Sequence, residues 1–171
     1  MLLIVLECAA AAVLYGVVHD QITARVSRRY FTLDHPSLGY PAIFHNPSPT
    51  VLGIAWGIVA TLPLGTVLGV CVAFCATLGR WPEISPRAMR KPIACVLVFM
   101  ACCAVACGFA GYALMVHLHP GALRRHPGYV RSVGVACAHA ASYAAAGLGA
   151  IVLCIWTVRR RRRLARAACA S

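Results

Sequence analysis

Charge is scarce in this chain. Charged residues make up 12% of its 171 positions, against about a quarter in soluble domains, which is too little to coat a globule in water. Acids are scarcer still: Asp and Glu total 4 against 16 Lys and Arg, and the formal net charge is +12. No carboxylate-rich or nucleophile cluster is visible, so an enzyme is only the third-ranked reading. The chain has no glycine-rich phosphate loop, zincin motif, nucleophile elbow or C-x-x-C pair. It has 10 cysteines, but they fall within apolar stretches or in the basic tail, not in the connections. An oxidising compartment would find no loop pair to close, which argues against a disulfide framework. The thiols read as small apolar packing groups. The pairs Cys71/Cys75 and Cys103/Cys107 share helix faces and also suggest a soft-metal thiol carrier, although buried thiols are usually inert.

Apolar residues are what the chain has in abundance, at 61%. They fall in four stretches, about 2–18, 50–78, 91–116 and 133–158. A bilayer takes roughly 20 apolar residues per helix. The fold class expected is all-α: a transmembrane four-helix bundle, forming a single integral membrane domain over 1–171. The first stretch is short. A signal peptide is the competing reading, but there is no basic n-region and Glu7 interrupts the run, which favours a retained helix. Pro63 predicts a kink or tilt in the second span. Ser85–Pro86 reads as a cap and first turn of the third helix.

The connections set the orientation. The tail, 159–171, holds six arginines, and the second connection holds four basic residues (Arg80, Arg87, Arg90, Lys91). The first and third connections hold three each (Arg25, Arg28, Arg29; Arg124, Arg125, Arg131). Ten basic residues against six place both termini in the cytoplasm by the positive-inside rule. The bilayer and its headgroups, not nucleic acid, are the partners this charge pattern implies. Segment 19–49 then forms one polar extracytoplasmic segment, and every histidine except His139 falls at or beyond the outer boundary.

Small residues must hold such a bundle together, because lipid offers no hydrophobic drive between helices. The second span carries Gly53, Gly57, Thr61, Gly65, Gly69, Ala73 and Thr77 at four-residue spacing. Such a row drifts around a helix and is expected to serve two neighbours. Ala136, Ala140 and Ala144 offer a similar row in the fourth span, and Cys103, Cys107 and Gly111 one in the third.

Glu7 and His139 are the strongly ionisable residues well inside the spans. Groups at that depth are costly and so point to function. Counted from the outer ends, they lie near enough in depth to pair, with Tyr143 one turn after His139. That trio suits a proton or cation relay, or a polar contact that fixes helix register. His117 and His119, followed by His126, are weak metal candidates, because no Cys, Asp or Glu accompanies them. No cofactor is expected. In the outer segment, residues 21–31 suit a short interfacial helix, and His19-Asp20-Gln21 a polar helix end, a metal corner or a substrate contact. Pro36, Gly39, Pro41, Pro47 and Pro49 then break regular structure.

Tyr15-Gly16-Val17-Val18-His19-Asp20-Gln21-Ile22-Thr23-Ala24-Arg25, then Tyr30-Phe31-Thr32 and His35-Pro36, form a distinctive block. Ser48-Pro49-Thr50, Gly53-Ile54-Ala55-Trp56-Gly57, Gly108-Phe109-Ala110-Gly111-Tyr112 and His139-Ala140-Ala141-Ser142-Tyr143 follow. Together they resemble an uncharacterised family of small bacterial four-span integral membrane proteins. Its members usually carry an acid just before Tyr-Phe-Thr, where this chain has Arg29, and His-Pro-Pro where it has His35-Pro36-Ser37. The resemblance implies a bacterial inner membrane and four spans, but no reaction. The function expected is a structural, sensing or accessory role, in which His19, Asp20, Gln21, Arg25, Tyr30 and His35 form an outer surface for a membrane or periplasmic protein. A homo-oligomer is compatible with this. The alternative is a small transporter of protons, ions or a small solute along Glu7, His139 and Tyr143.

Overall fold

A computed structural model of the chain describes residues 1–34 and 48–169, and it is all-α. Helix α1 is Leu2–Val26, α2 Pro49–Thr77, α3 Pro86–Leu118 and α4 Pro127–Ala168. A π-helical turn, Tyr30–Asp34, follows α1, and a single turn, Ala122–Arg125, joins α3 to α4. Each long helix contains an 18-residue window of mean hydropathy between 1.8 and 2.6. Leu14, Phe109, Leu148 and Val152 are among many large apolar side chains that point outward, as a lipid surround allows. The chain is a four-span helical membrane protein.

Three helices outrun their expected spans. The largest change is in α1, which continues unbroken through His19–Val26, so the short helix expected at 21–31 does not stand alone. No Gly or Pro interrupts 17–26, and the Thr23 hydroxyl donates to the His19 carbonyl. Tyr30 and Phe31 belong instead to the π-helical turn. Helix α3 starts at Pro86 with Ser85 at the N-cap position, but the Ser85 side chain makes no capping hydrogen bond. Helix α2 runs through Pro63. Helix α4, at 42 residues, is about 60 Å long and exceeds the hydrocarbon core, carrying most of the arginine tail as helix.

Helix α1 packs chiefly along α2, and α3 along α4; contacts of α2 with α4 and of α1 with α3 close the bundle. The four glycines of the α2 row all meet α1, whereas Ala73 of the same row joins the cluster that holds Met89 and Leu153. A Cβ at Gly53 would lie 2.8 Å from the Gln21 backbone nitrogen, and one at Gly57 would lie 2.5 Å from Val17 Cα. Gly65 faces Ala12, and Gly69 faces Cys8. The reason is that α1 carries a matching four-spaced row, Cys8, Ala12, Gly16 and Asp20, so the two rows drift together. In α4 the expected row Ala136, Ala140, Ala144 faces outward. The face that packs instead runs through Gly134, Ala138, Ser142, Ala146 and Gly149. Gly134 lies against Gly108 and Tyr112, and Gly149 against Val96. Of the expected α3 row, Gly111 packs against Cys137, whereas Cys107 is exposed.

The bundle has two distinct ends. At one, Arg161 of α4 bonds the α2–α3 connection, and Glu7 pairs with Arg90; this is called the tail end below. At the other, Ser27 and Asp34 meet Ser132 near the start of α4; this is the cap end. Separate apolar clusters fill the interior: Ile4, Val72, Ala76, Met89 and Leu153 toward the tail end, Met100, Ala145 and Ala146 between, and Ala24, Phe31, Leu52, Trp56 and Val135 at the cap end.

Candidate functional site: a buried histidine–aspartate junction

Asp20 falls four residues after Gly16 and four before Ala24, so it shares the face of α1 that is turned into the bundle. It is 4% exposed. His139, on the inward face of α4, comes to meet it. The His139 Nε2 atom lies 3.0 Å from Asp20 Oδ1, with both side chains buried. His139 Nδ1 lies 2.9 Å from the Val135 carbonyl oxygen. A carbonyl only accepts, so Nδ1 carries a proton and donates it there. In a neutral ring Nε2 is then an acceptor, and it faces a carboxylate oxygen. Two acceptors at hydrogen-bond distance need a proton or another cation between them.

His19 completes a group of three potential ligands. Its ligand atom and those of Asp20 and His139 all lie within 4.8 Å of one another. His19 Nε2 is buried and has no hydrogen-bond partner among the described residues. The His19 ring sits edge-on to His139 at 4.7 Å and stacks on Tyr15 at 5.6 Å. The Tyr15 hydroxyl is 2.7 Å from the Ser142 hydroxyl, a second polar tie from α1 to α4.

The π-helical turn caps this junction. The Tyr30 ring lies 4.8 Å from His139 and the Phe31 ring 5.6 Å. Phe31 is 2% exposed. Asp34 anchors the turn: it pairs with Arg29 through bonds of 3.1 and 3.2 Å and accepts a 2.6 Å bond from the Ser132 hydroxyl. Arg29 thus finds its counter-charge within this turn. Burial pushes the Tyr30 phenol up to about 12, with Tyr143 and Asp20 adding to the rise, so it stays neutral at ordinary pH.

Below the junction, a cavity of about 90 Å³ runs between the helices from His19 and Asp20 toward Cys8. Its polar lining is gathered around Tyr15, Thr61, Ser142 and Tyr143; toward the tail end it is lined by Leu68, Val72, Ile93 and Leu153.

The structure divides the expected outer surface. His19 and Asp20 turn inward. Gln21 and Arg25 grip the start of α2: Gln21 donates to the Thr50 carbonyl at 2.9 Å, and Arg25 donates to the Thr50 hydroxyl at 3.0 Å. Tyr30 covers His139, and His35 lies outside the described residues. The expected pairing of Glu7 with His139 does not form. Glu7 is thirteen residues before Asp20 on α1, about 20 Å away along the axis, and accepts bonds from Arg90 at 2.7 and 3.0 Å. Tyr143 stays near His139, with ring centroids 6.5 Å apart. His117 and His119 are exposed and join no group of three potential ligands among the described residues. Compared with protein-family models, curated proteins and solved structures, the chain matches none, so the resemblance above rests on its residues alone.

Proposed function

We propose that this four-span protein is a sensing or accessory component of a bacterial cytoplasmic membrane, with both termini in the cytoplasm. In this proposal a small cation held at the His19–Asp20–His139 junction sets the pose of the cap, and the cap end presents the outer segment to a membrane or periplasmic partner. The whole chain acts as one integral membrane unit. The observation that carries this is the 3.0 Å approach of His139 Nε2 to Asp20 Oδ1 directly beneath Tyr30 and Phe31, with His139 Nδ1 committed to a carbonyl. What sits between Nε2 and Oδ1 is coupled by contact to the π-helical turn that follows α1. The basic residues support the orientation: Arg90 and Arg161 lie together at the tail end, and the less basic connections lie at the cap end.

The transporter reading has weaker support, because Glu7 and His139 stand at opposite ends with an apolar-lined stretch between them. Cysteine alkylation in a cysteine-free background tests the sensing proposal. Ser27, 5% exposed, is replaced by Cys to report cap opening, and the exposed Leu33 is replaced by Cys to report sidedness. Asp20→Ala is expected to speed alkylation in the Ser27→Cys variant about tenfold, the equivalent of about 1.4 kcal/mol. An unchanged rate overturns the coupling. In intact cells an impermeant reagent should reach the Leu33→Cys variant from outside; labelling only from the cytoplasm overturns the orientation.

A further inference from the structure

We infer that the junction is a binding site for one divalent first-row transition-metal ion, held by His19, Asp20 and His139. This rests on the reading of the junction as a cation site and names the cation's chemical class. Zinc bonds to imidazole nitrogen and carboxylate oxygen run about 2.0–2.1 Å. At the tetrahedral angle two such bonds separate their donor atoms by about 3.4 Å, and His139 Nε2 and Asp20 Oδ1 are 3.0 Å apart. Opening this pair by about 0.4 Å would seat an ion between the two donor atoms.

His139 is already prepared as a ligand. Its Nδ1–H is committed to the Val135 carbonyl, which fixes the ring and points the Nε2 lone pair at Asp20. Metal-bound histidines are commonly held in this way by a second hydrogen bond. His19 supplies the third donor. Its ligand atom lies no more than 4.8 Å from the others, and the edge of a tetrahedral zinc site is about 3.4 Å. A ring movement of about 1.4 Å or less, within reach of a side-chain rotation, would close the set. A bound ion would also give the buried His19 Nε2 the partner it lacks among the described residues.

The donor set selects the ion class. Two imidazoles and one carboxylate suit zinc, cobalt, nickel or ferrous iron, whereas magnesium and calcium prefer oxygen donors. The aromatic rings of Tyr15, Tyr30 and Phe31 around the histidines thin out competing water and strengthen the ionic bonds.

The test uses the full chain in detergent micelles, with Zn²⁺ for stoichiometry and Co²⁺ for its ligand-field spectrum. One ion per chain is expected, with a cobalt spectrum of nitrogen and oxygen ligands. Asp20→Asn is the informative variant. Its amide can still donate to His139 Nε2 and keep α1 on α4, but it removes the anionic ligand. Affinity should fall at least tenfold in Asp20→Asn and in His139→Gln, and stay unchanged in the His117→Ala, His119→Ala double variant. No stoichiometric binding, undiminished binding in both junction variants, or thiolate-to-cobalt bands would overturn the metal site. The cap assay separates the two proposals. Faster alkylation in the Ser27→Cys, Asp20→Ala variant without metal binding sinks the metal site alone. Metal binding with an unchanged alkylation rate sinks the sensing proposal alone.

Discussion

Arg161 is 2% exposed, yet it carries a guanidinium that nothing anionic neutralises among the described residues. Four carbonyl oxygens satisfy it: those of Cys75, Leu78, Trp81 and Pro82, at 2.7–2.9 Å. Two of these lie in the last turn and C-cap of α2, where carbonyls lack helical partners and the helix dipole is negative. One side chain therefore ends α2, shapes the connection and fastens it to α4. Arg161→Ala should cost about 3 kcal/mol in a denaturant titration, and Arg161→Lys should recover less than half, since an ammonium cannot reproduce the planar fork. A cost under about 0.5 kcal/mol would show that water replaces the clamp. In the sequence this residue is one of five consecutive arginines. Only the continuing inward face through Ala146, Ala150, Leu153 and Thr157 marks 161 as buried. The same kind of signal was available for Asp20, because the four-spaced row Cys8, Ala12, Gly16 runs directly into it. Depth along the axis makes a pairing of Glu7 with His139 plausible, but depth carries no information about which way a side chain faces. The face decides, and it turns Asp20 toward α4 and leaves Glu7 to Arg90.

At the scale of elements, packing rests on backbone approach more than on large side chains. At Gly57 the backbone of α1 crowds α2, with Val17 and Gly16 backbone atoms 2.5–2.8 Å from where a Cβ would be. Gly57→Leu must separate the helices or bend one of them, at a cost of about 1–3 kcal/mol or more. Because Asp20 and Gln21 lie one turn along α1 from Gly16 and Val17, the variant should also weaken the junction. Gly147, with open space around its Cβ direction, is the control, and Gly147→Ala should be neutral or slightly stabilising. Equal stability of Gly57→Leu and the parent would contradict the close-approach account. The existence of the four helices was legible from run length alone, since nothing but a span buries so many consecutive apolar residues. Their ends were less legible. Polar residues at 19–26 resemble a loop when lipid exposure is the only criterion, yet they contain no breaker and their polar face is turned inward. The packing face of α4 is hidden in the sequence for a related reason: alanines at 136, 140 and 144 are as small as those that pack, and composition does not say which side of a helix meets a neighbour.

At the scale of the whole molecule, polar ties fasten both ends of a largely apolar bundle. The tail end is held by Arg161 and the Glu7–Arg90 pair. The cap end is held by the Asp20–His139 pair beneath Tyr30 and Phe31, with Asp34 securing the turn to α4. The cap, the cation and the proposed partner surface all depend on the contact between α1 and α4 at the cap end. A double-mutant cycle with Asp20→Ala and His139→Ala, read as unfolding free energy of the full chain in mixed micelles, tests it most directly. A coupling energy of about 1–3 kcal/mol is predicted for two residues in direct, buried contact. Additive effects, within about 0.5 kcal/mol, would contradict the account.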